Sequence, residues 1–128
     1  MGTKYPVFRG KHVVWGCRYH LVFTTKYRKK IITPEIFSKI EPRFQRVCDS
    51  FEGSLIECNY ESDHVHLLVT LPPKHSVSKF VNSLKGVSSR EAKVGQLWSP
   101  SYYVGTCGDA SLETIKTYIQ NQRNSSSA

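Results

Sequence analysis

The sequence predicts an α+β fold, and three observations carry that prediction. Residues 12–25, "HVVWGCRYHLVFTT", are rich in β-branched and aromatic residues, as a long strand requires. Two further strand-like runs, 53–61 and 63–71, meet at a two-residue turn at Ser62-Asp63. Between and after the strands lie two stretches whose apolar residues recur every three or four positions, the period of a helix with one buried face.

Taken in order, residues 1–11 show little pattern and are expected to be irregular. The strand at 12–25 ends in a basic tip, "KYRKK". The first helix spans Pro34 to Phe51, with Ile36, Phe37, Ile40, Phe44, Val47, Cys48 and Phe51 on its stripe. Thr33 suits its N-cap and Pro34 its first turn, where no backbone N–H is needed. Pro42 interrupts the pattern and predicts a kink or a split into two pieces. The strands 53–61 and 63–71 follow, and "PPK" then breaks the chain. Ser76 is the expected N-cap of a second helix, with Val77, Phe80, Val81, Leu84 and Val87 on one face. A loop around Gly95 leads to a fourth strand over 101–107. Gly105 and Gly108 bracket an expected flexible joint, and Ser111 caps a last helix containing "LETIKTYIQNQ".

This order, β-α-β-β-α-β plus one helix, is that of ferredoxin-like domains. It predicts an antiparallel sheet with both main helices on one face, leaving the other face to a partner or to the final helix. One domain is expected over residues 1–123. Residues 124–128 close a small, polar tail expected to be disordered.

The chain carries 18 basic and 10 acidic side chains, a formal net charge of +8. Such an excess favours polyanionic partners, most often nucleic acid, although a soluble basic protein without one fits the charge too. No run approaches the ~20 apolar residues of a membrane span, and the N-terminus lacks the apolar core of a secretory signal. A soluble, cytoplasmic protein without membrane partners is expected. Cys17, Cys48, Cys58 and Cys107 form no C-x-x-C pair, which argues against a zinc ribbon and against a disulfide framework.

The chemistry lies in two short stretches. In "DHVHLLV", His64 and His66 are two residues apart on a strand, so both project from the same face while Val65, Leu67 and Val69 take the other. Paired imidazoles can share a cation, and two histidines making separate hydrogen bonds fit the same spacing. Asp63 suits the turn, or support of an imidazole, and the turn is the preferred reading. Two nitrogens leave a divalent ion short of ligands, and Mg²⁺ or Mn²⁺ would want oxygens. In the last helix Tyr118 and Gln122 are four apart and share a face beside the apolar stripe of Leu112, Ile115 and Ile119. Read alone, these two are better taken as a peripheral core aromatic and a solvated amide.

Together "DHVHLLV", "LKGVSSRE", "LWSPSYYVG" and "ETIKTYIQNQ", in this order, resemble the single-tyrosine HUH transposases, the TnpA-type enzymes of the insertion sequence 200/605 family. The resemblance runs from about His12 to Arg123. It implies that Tyr118 is the nucleophile, and that His64, His66 and Gln122 hold a divalent cation, Mg²⁺ or Mn²⁺. It implies cleavage and rejoining of single-stranded DNA at insertion-sequence ends, recognition of hairpins, and a covalent 5′-phosphotyrosine. It also implies a homodimer whose active sites can combine the histidines of one subunit with the tyrosine helix of the other, working in the cytoplasm at the nucleoid. Pro42 departs from the family pattern, which bears on the shape of the first helix rather than the chemistry. Arg28, Lys29 and Lys30 at the strand tip, with Lys74, Lys79, Lys85 and Arg90 around the second helix, are the candidate DNA contacts, although each singly reads as a solvated charge. Tyr102 and Tyr103 alternate across a strand, so one of them is expected to be exposed for base stacking. The rival readings are a REP-associated tyrosine transposase-like nuclease with a cellular task, and a non-catalytic ferredoxin-like module that grips hairpins.

Overall fold

The computed structural model describes residues 8–9, 14–15, 17–106 and 118–121. Its centre is a four-stranded antiparallel sheet of β3 (Arg18–Thr24), β4 (Ser54–Glu61), β5 (His64–Thr70) and β6 (Tyr103–Thr106), in the order β4-β5-β3-β6. The helices α1 (Pro34–Ser50) and α2 (Val77–Ala92) occupy the two crossovers. This is the expected ferredoxin-like arrangement. A separate ribbon pairs β1 (Phe8–Arg9) with β2 (Val14–Trp15), where the sequence suggested irregular chain followed by one long strand. The main ladder therefore begins only at Arg18.

Both helices lie on one face of the sheet. Leu21, Phe23, Val65, Leu67 and Val69 from the central strands form one core with Ile40, Phe44 and Val47 of α1 and Phe80, Val81 and Leu84 of α2. Side chains alternate along a strand, so the intervening residues, His20, Val22, Thr24, His64, His66 and Leu68, share the opposite face.

The helix caps are as the sequence indicates. Thr33 Oγ1 accepts from Ile36 N at 3.1 Å and Ser76 Oγ from Lys79 N at 3.3 Å. Pro42, however, neither splits nor ends α1. The intrahelical bond it removes would have reached the carbonyl of Ser38, and Ser38 and Pro42 are both exposed. The freed carbonyl faces water, which moderates the cost of the proline. Gly105 lies inside β6 and pairs with His20, so strand hydrogen bonding holds it rather than a flexible joint. Gly108 and most of the last helix, including Leu112 and Ile115, lie outside the described residues.

One irregularity matters for the site. Between Leu55 and Glu57 the register of β4 against β5 shifts by one residue, leaving Ile56 exposed. Beyond this bulge the parity is reversed. Cys58 and Tyr60 face the core, and Glu57, Asn59 and Glu61 join the histidine face, with Asn59 opposite His66 and Glu61 opposite His64.

Candidate active site

The face of the sheet opposite α1 and α2 gathers the chemistry. His64 and His66 project from β5, and His20 from β3 sits diagonally across from His66. The His20 and His66 rings stack at 5.1 Å, with Nδ1 of His20 3.0 Å from Nε2 of His66. Burial pushes the His66 pKa down, and the nearby His20 and His64 push the same way against Glu57. His66 is thus held neutral, the form in which an imidazole can ligate a metal.

His64 is oriented differently. Its Nδ1 lies 2.8 Å from Oδ1 of Asp63, and since a carboxylate only accepts, Nδ1 carries the proton. A carboxylate that accepts from Nδ1–H leaves Nε2 as the ring's outward atom, an arrangement common in metal-ligating histidines. Asp63 occupies the expected turn and also does the supporting work that the sequence reading placed second. Burial alone would raise the Asp63 pKa, but its bonds to His64 and Arg28 outweigh that and hold it below the usual range. Two imidazoles projecting from one face, one of them braced by a carboxylate, are donors of the kind a divalent cation takes. Among the described residues no three His, Cys, Asp or Glu side chains converge on one metal position. Gln122, the expected oxygen ligand, lies outside the described residues.

Tyr118 stands on a short helical segment, 118–121, and is half-buried. Its ring lies 5.5 Å from that of Tyr103, and its hydroxyl 3.5 Å from Ser101 Oγ. Tyr103 pairs with Val22, and Val22 with His66, so the three form one row across the histidine face with Tyr118 at its end. Burial raises the phenol pKa, opposed by the Ser101 contact. Tyr102 turns to the core side, edge-on to Phe23 at 6.5 Å.

The basic candidates divide. Lys29, Lys30, Lys79 and Arg90 are exposed, and Lys74 is exposed while paired with Glu52 at 2.6 Å. Arg28 is turned inward with its side chain only 9% exposed, and it forms an ion pair with Asp63 at 2.6 Å. Lys85 is half-buried, its Nζ donating to the carbonyls of Ser99, Pro100 and Ser101 at 2.7, 3.3 and 3.4 Å. These two cations are built into the fold instead of standing free on its surface. Sequence reasoning missed His20, Asn59, Ser101 and the Arg28–Asp63 pair. Strand parity alone would have put His20 on the face of Val22, but its partner depends on the register between strands.

The fold is thus a ferredoxin-like sheet with paired imidazoles on the face away from α1 and α2, and with Tyr118 packed on Tyr103 at the edge of that face. The chain belongs to the IS200-like transposase family, whose model "Transposase IS200 like" matches residues 13–122, and it is a TnpA-type transposase of the insertion sequence 200/605 group. It is 32% identical over 122 residues to the transposase for insertion sequence element IS200 of Salmonella typhimurium, covering 87% of this chain and 80% of that one. With the ISDra2 transposase TnpA of Deinococcus radiodurans it shares 29% over 125 residues, covering 89% of each. A crystal structure of a Deinococcus radiodurans transposase superposes with a TM-score of 0.82 at 30% identity, over 90% of this chain and 97% of that one. A REP-associated tyrosine transposase bound to a REP hairpin shares the fold, with a TM-score of 0.63 at 12% identity, over 94% of this chain and 66% of that one.

Proposed function

We propose that this transposase cuts and rejoins single-stranded DNA through a covalent bond to Tyr118. The observation that carries the proposal is the position of Tyr118 at the end of the row that runs through Tyr103 and Val22 to His66. The phenol oxygen attacks the scissile phosphorus, the Oη–P bond forms, and the P–O3′ bond breaks. A 5′-phosphotyrosine results, and the 3′-oxygen leaves as a hydroxyl after taking up a proton. Because the phosphodiester is exchanged for another phosphoester, a later 3′-hydroxyl can reverse the step and join new ends without a nucleotide cofactor.

The chain's own groups have separable tasks. Ser101 and Tyr103 hold the phenol, Asp63 orients His64, and burial with His20 keeps His66 unprotonated. His64 and His66, with Gln122, would hold Mg²⁺ or Mn²⁺, which when bound supplies positive charge beside the non-bridging phosphate oxygens. Burial raises the phenol pKa above its ordinary value of about 10, so Tyr118 is protonated at neutral pH and its proton leaves in the course of the reaction. The net charge of +8 and a fold neighbour that holds a REP hairpin support a folded single strand as substrate. We take the working unit to be a homodimer in which the tyrosine helix serves its own or its partner's histidines.

The test is incubation with labelled single-stranded DNA carrying the element ends, followed by a denaturing gel. A labelled band at the mass of protein plus DNA, formed with Mg²⁺ or Mn²⁺ and lost in both EDTA and Tyr118→Phe, is expected. An adduct that survives Tyr118→Phe would overturn the assignment. Absence of any adduct with wild-type protein would favour the non-catalytic hairpin-binding reading.

A further inference from the structure

The turn after β3 has an unusual backbone. Tyr27 and Arg28 are consecutive non-glycine residues with positive φ, 58° and 53°. Such left-handed conformations cost bulky side chains energy and persist only where the surroundings enforce them. The enforcement here is explicit. Thr25 N donates to the Asp63 carbonyl at 2.9 Å, Ile32 N to the Ser62 carbonyl at 2.9 Å, and Lys26 N to the Leu97 carbonyl at 3.0 Å. The Thr25 hydroxyl spans the turn to the Lys29 carbonyl at 2.7 Å.

The turn delivers the guanidinium of Arg28 inward. Nε and Nη2 both reach Oδ2 of Asp63, at 2.9 and 2.6 Å, and Nη1 donates to the backbone carbonyl of Ile119 at 2.6 Å. Ile119 follows Tyr118 in the helical segment, and Asp63 holds the Nδ1 proton of His64. One planar cation therefore joins the backbone of the tyrosine helix to the carboxylate that orients a histidine. The Ile119 carbonyl belongs to the backbone, so this contact reads the position of the helix whatever side chain occupies 119.

We propose that Arg28 is a positioning residue that latches the tyrosine helix onto its own subunit's histidine turn, so that docking of Tyr118 and orientation of His64 are coupled. This rests on the reading of Tyr118 as nucleophile. Release of the Ile119 carbonyl frees the tyrosine helix while Asp63 keeps its cation, so the latch sets whether the tyrosine serves its own sheet. Only a branched, planar donor set does both jobs at once. Lysine in this place can satisfy Asp63, but its donors sit on one nitrogen and lack the spread by which Nη1 reaches Ile119 while Nε and Nη2 hold the carboxylate.

That difference gives the experiment. In Arg28→Lys, backbone amides of the peptide covering 118–121 should exchange with deuterium about tenfold faster, on the scale of one charge-assisted hydrogen bond, while β3 and β5 exchange at the wild-type rate. Adduct formation at saturating single-stranded DNA should slow by about the same factor, with the half-saturating DNA concentration unchanged, since the latch touches no phosphate. Unchanged exchange at 118–121, or acceleration spread evenly over the sheet, overturns the latch. Should Arg28→Lys fail to fold, Asp63→Asn probes the coupling from its other end, with the same localised acceleration expected and the same two results overturning it. The exchange measurement needs no DNA. If wild-type protein forms no adduct, the nucleophile reading fails while the exchange data still decide whether the helix is held by Arg28.

Discussion

Lys85→Met isolates one electrostatic element from its packing. The lysine stem lies near Phe23 and Tyr102, with Nζ 6.0 and 5.8 Å from the two ring centroids, and methionine keeps most of that apolar volume. What it loses is the ammonium and its three carbonyl partners in residues 99–101. The 2.7 Å bond to Ser99 is short and charge-assisted, whereas the bonds at 3.3 and 3.4 Å are long and add little. Burial lowers the Lys85 pKa, so part of the gain is spent on desolvation that methionine does not incur. The balance is about 1.5 kcal/mol of lost stability, or a fall in melting temperature of roughly 4–8 °C. Urea unfolding followed by tryptophan fluorescence measures it. Because Ser101 touches the Tyr118 hydroxyl, the loosened segment should also slow adduct formation. The salt dependence of DNA binding separates this account from direct contact. A true phosphate contact contributes about 0.7 to the slope of log K against log salt for single strands, and that slope should not change. A stability loss below ~0.5 kcal/mol, together with a flattened salt slope, would refute the structural role and return Lys85 to the DNA-binding surface.

Two further substitutions or modifications test the frame. A β-carbon at Gly53 would lie 2.1 Å from the Thr70 carbonyl oxygen, a backbone atom that cannot step aside, so Gly53→Ala should cost about 3 kcal/mol in urea unfolding, and a loss under ~1 kcal/mol would contradict the close approach of β4 to β5. Burial pushes the Cys48 and Cys58 thiols up to about 12. At pH 8 both should react with a disulfide reagent roughly a thousandfold more slowly in the native protein than in the denatured chain, as read by peptide mass spectrometry, and equal rates would show that these thiols are not enclosed as described.

The sequence by itself determined the fold class, the element order and the paired histidines. Hydrophobic period is a local property: intervals of three and four in α1 and α2, and alternation in β5, survive whatever the chain later packs against. The same parity argument put His64 and His66 together on one face, and the structure keeps them there. Pro42 was legible as an interruption but not as a tolerated one, since its cost depends on which side of the helix meets water.

Only the tertiary structure decided what surrounds those histidines. Whether His20 meets His66 is a matter of strand register, and whether Asn59 and Glu61 share their face turns on a one-residue bulge that no composition rule announces. Arg28 and Lys85 look in the sequence like any other basic residues among 18. A left-handed turn sends one inward to Asp63 and Ile119, and the path of the 99–101 segment captures the other. Side-chain period is local and readable along the chain, whereas the direction of a long charged side chain is set by partners distant in sequence, which exist only once the chain has folded.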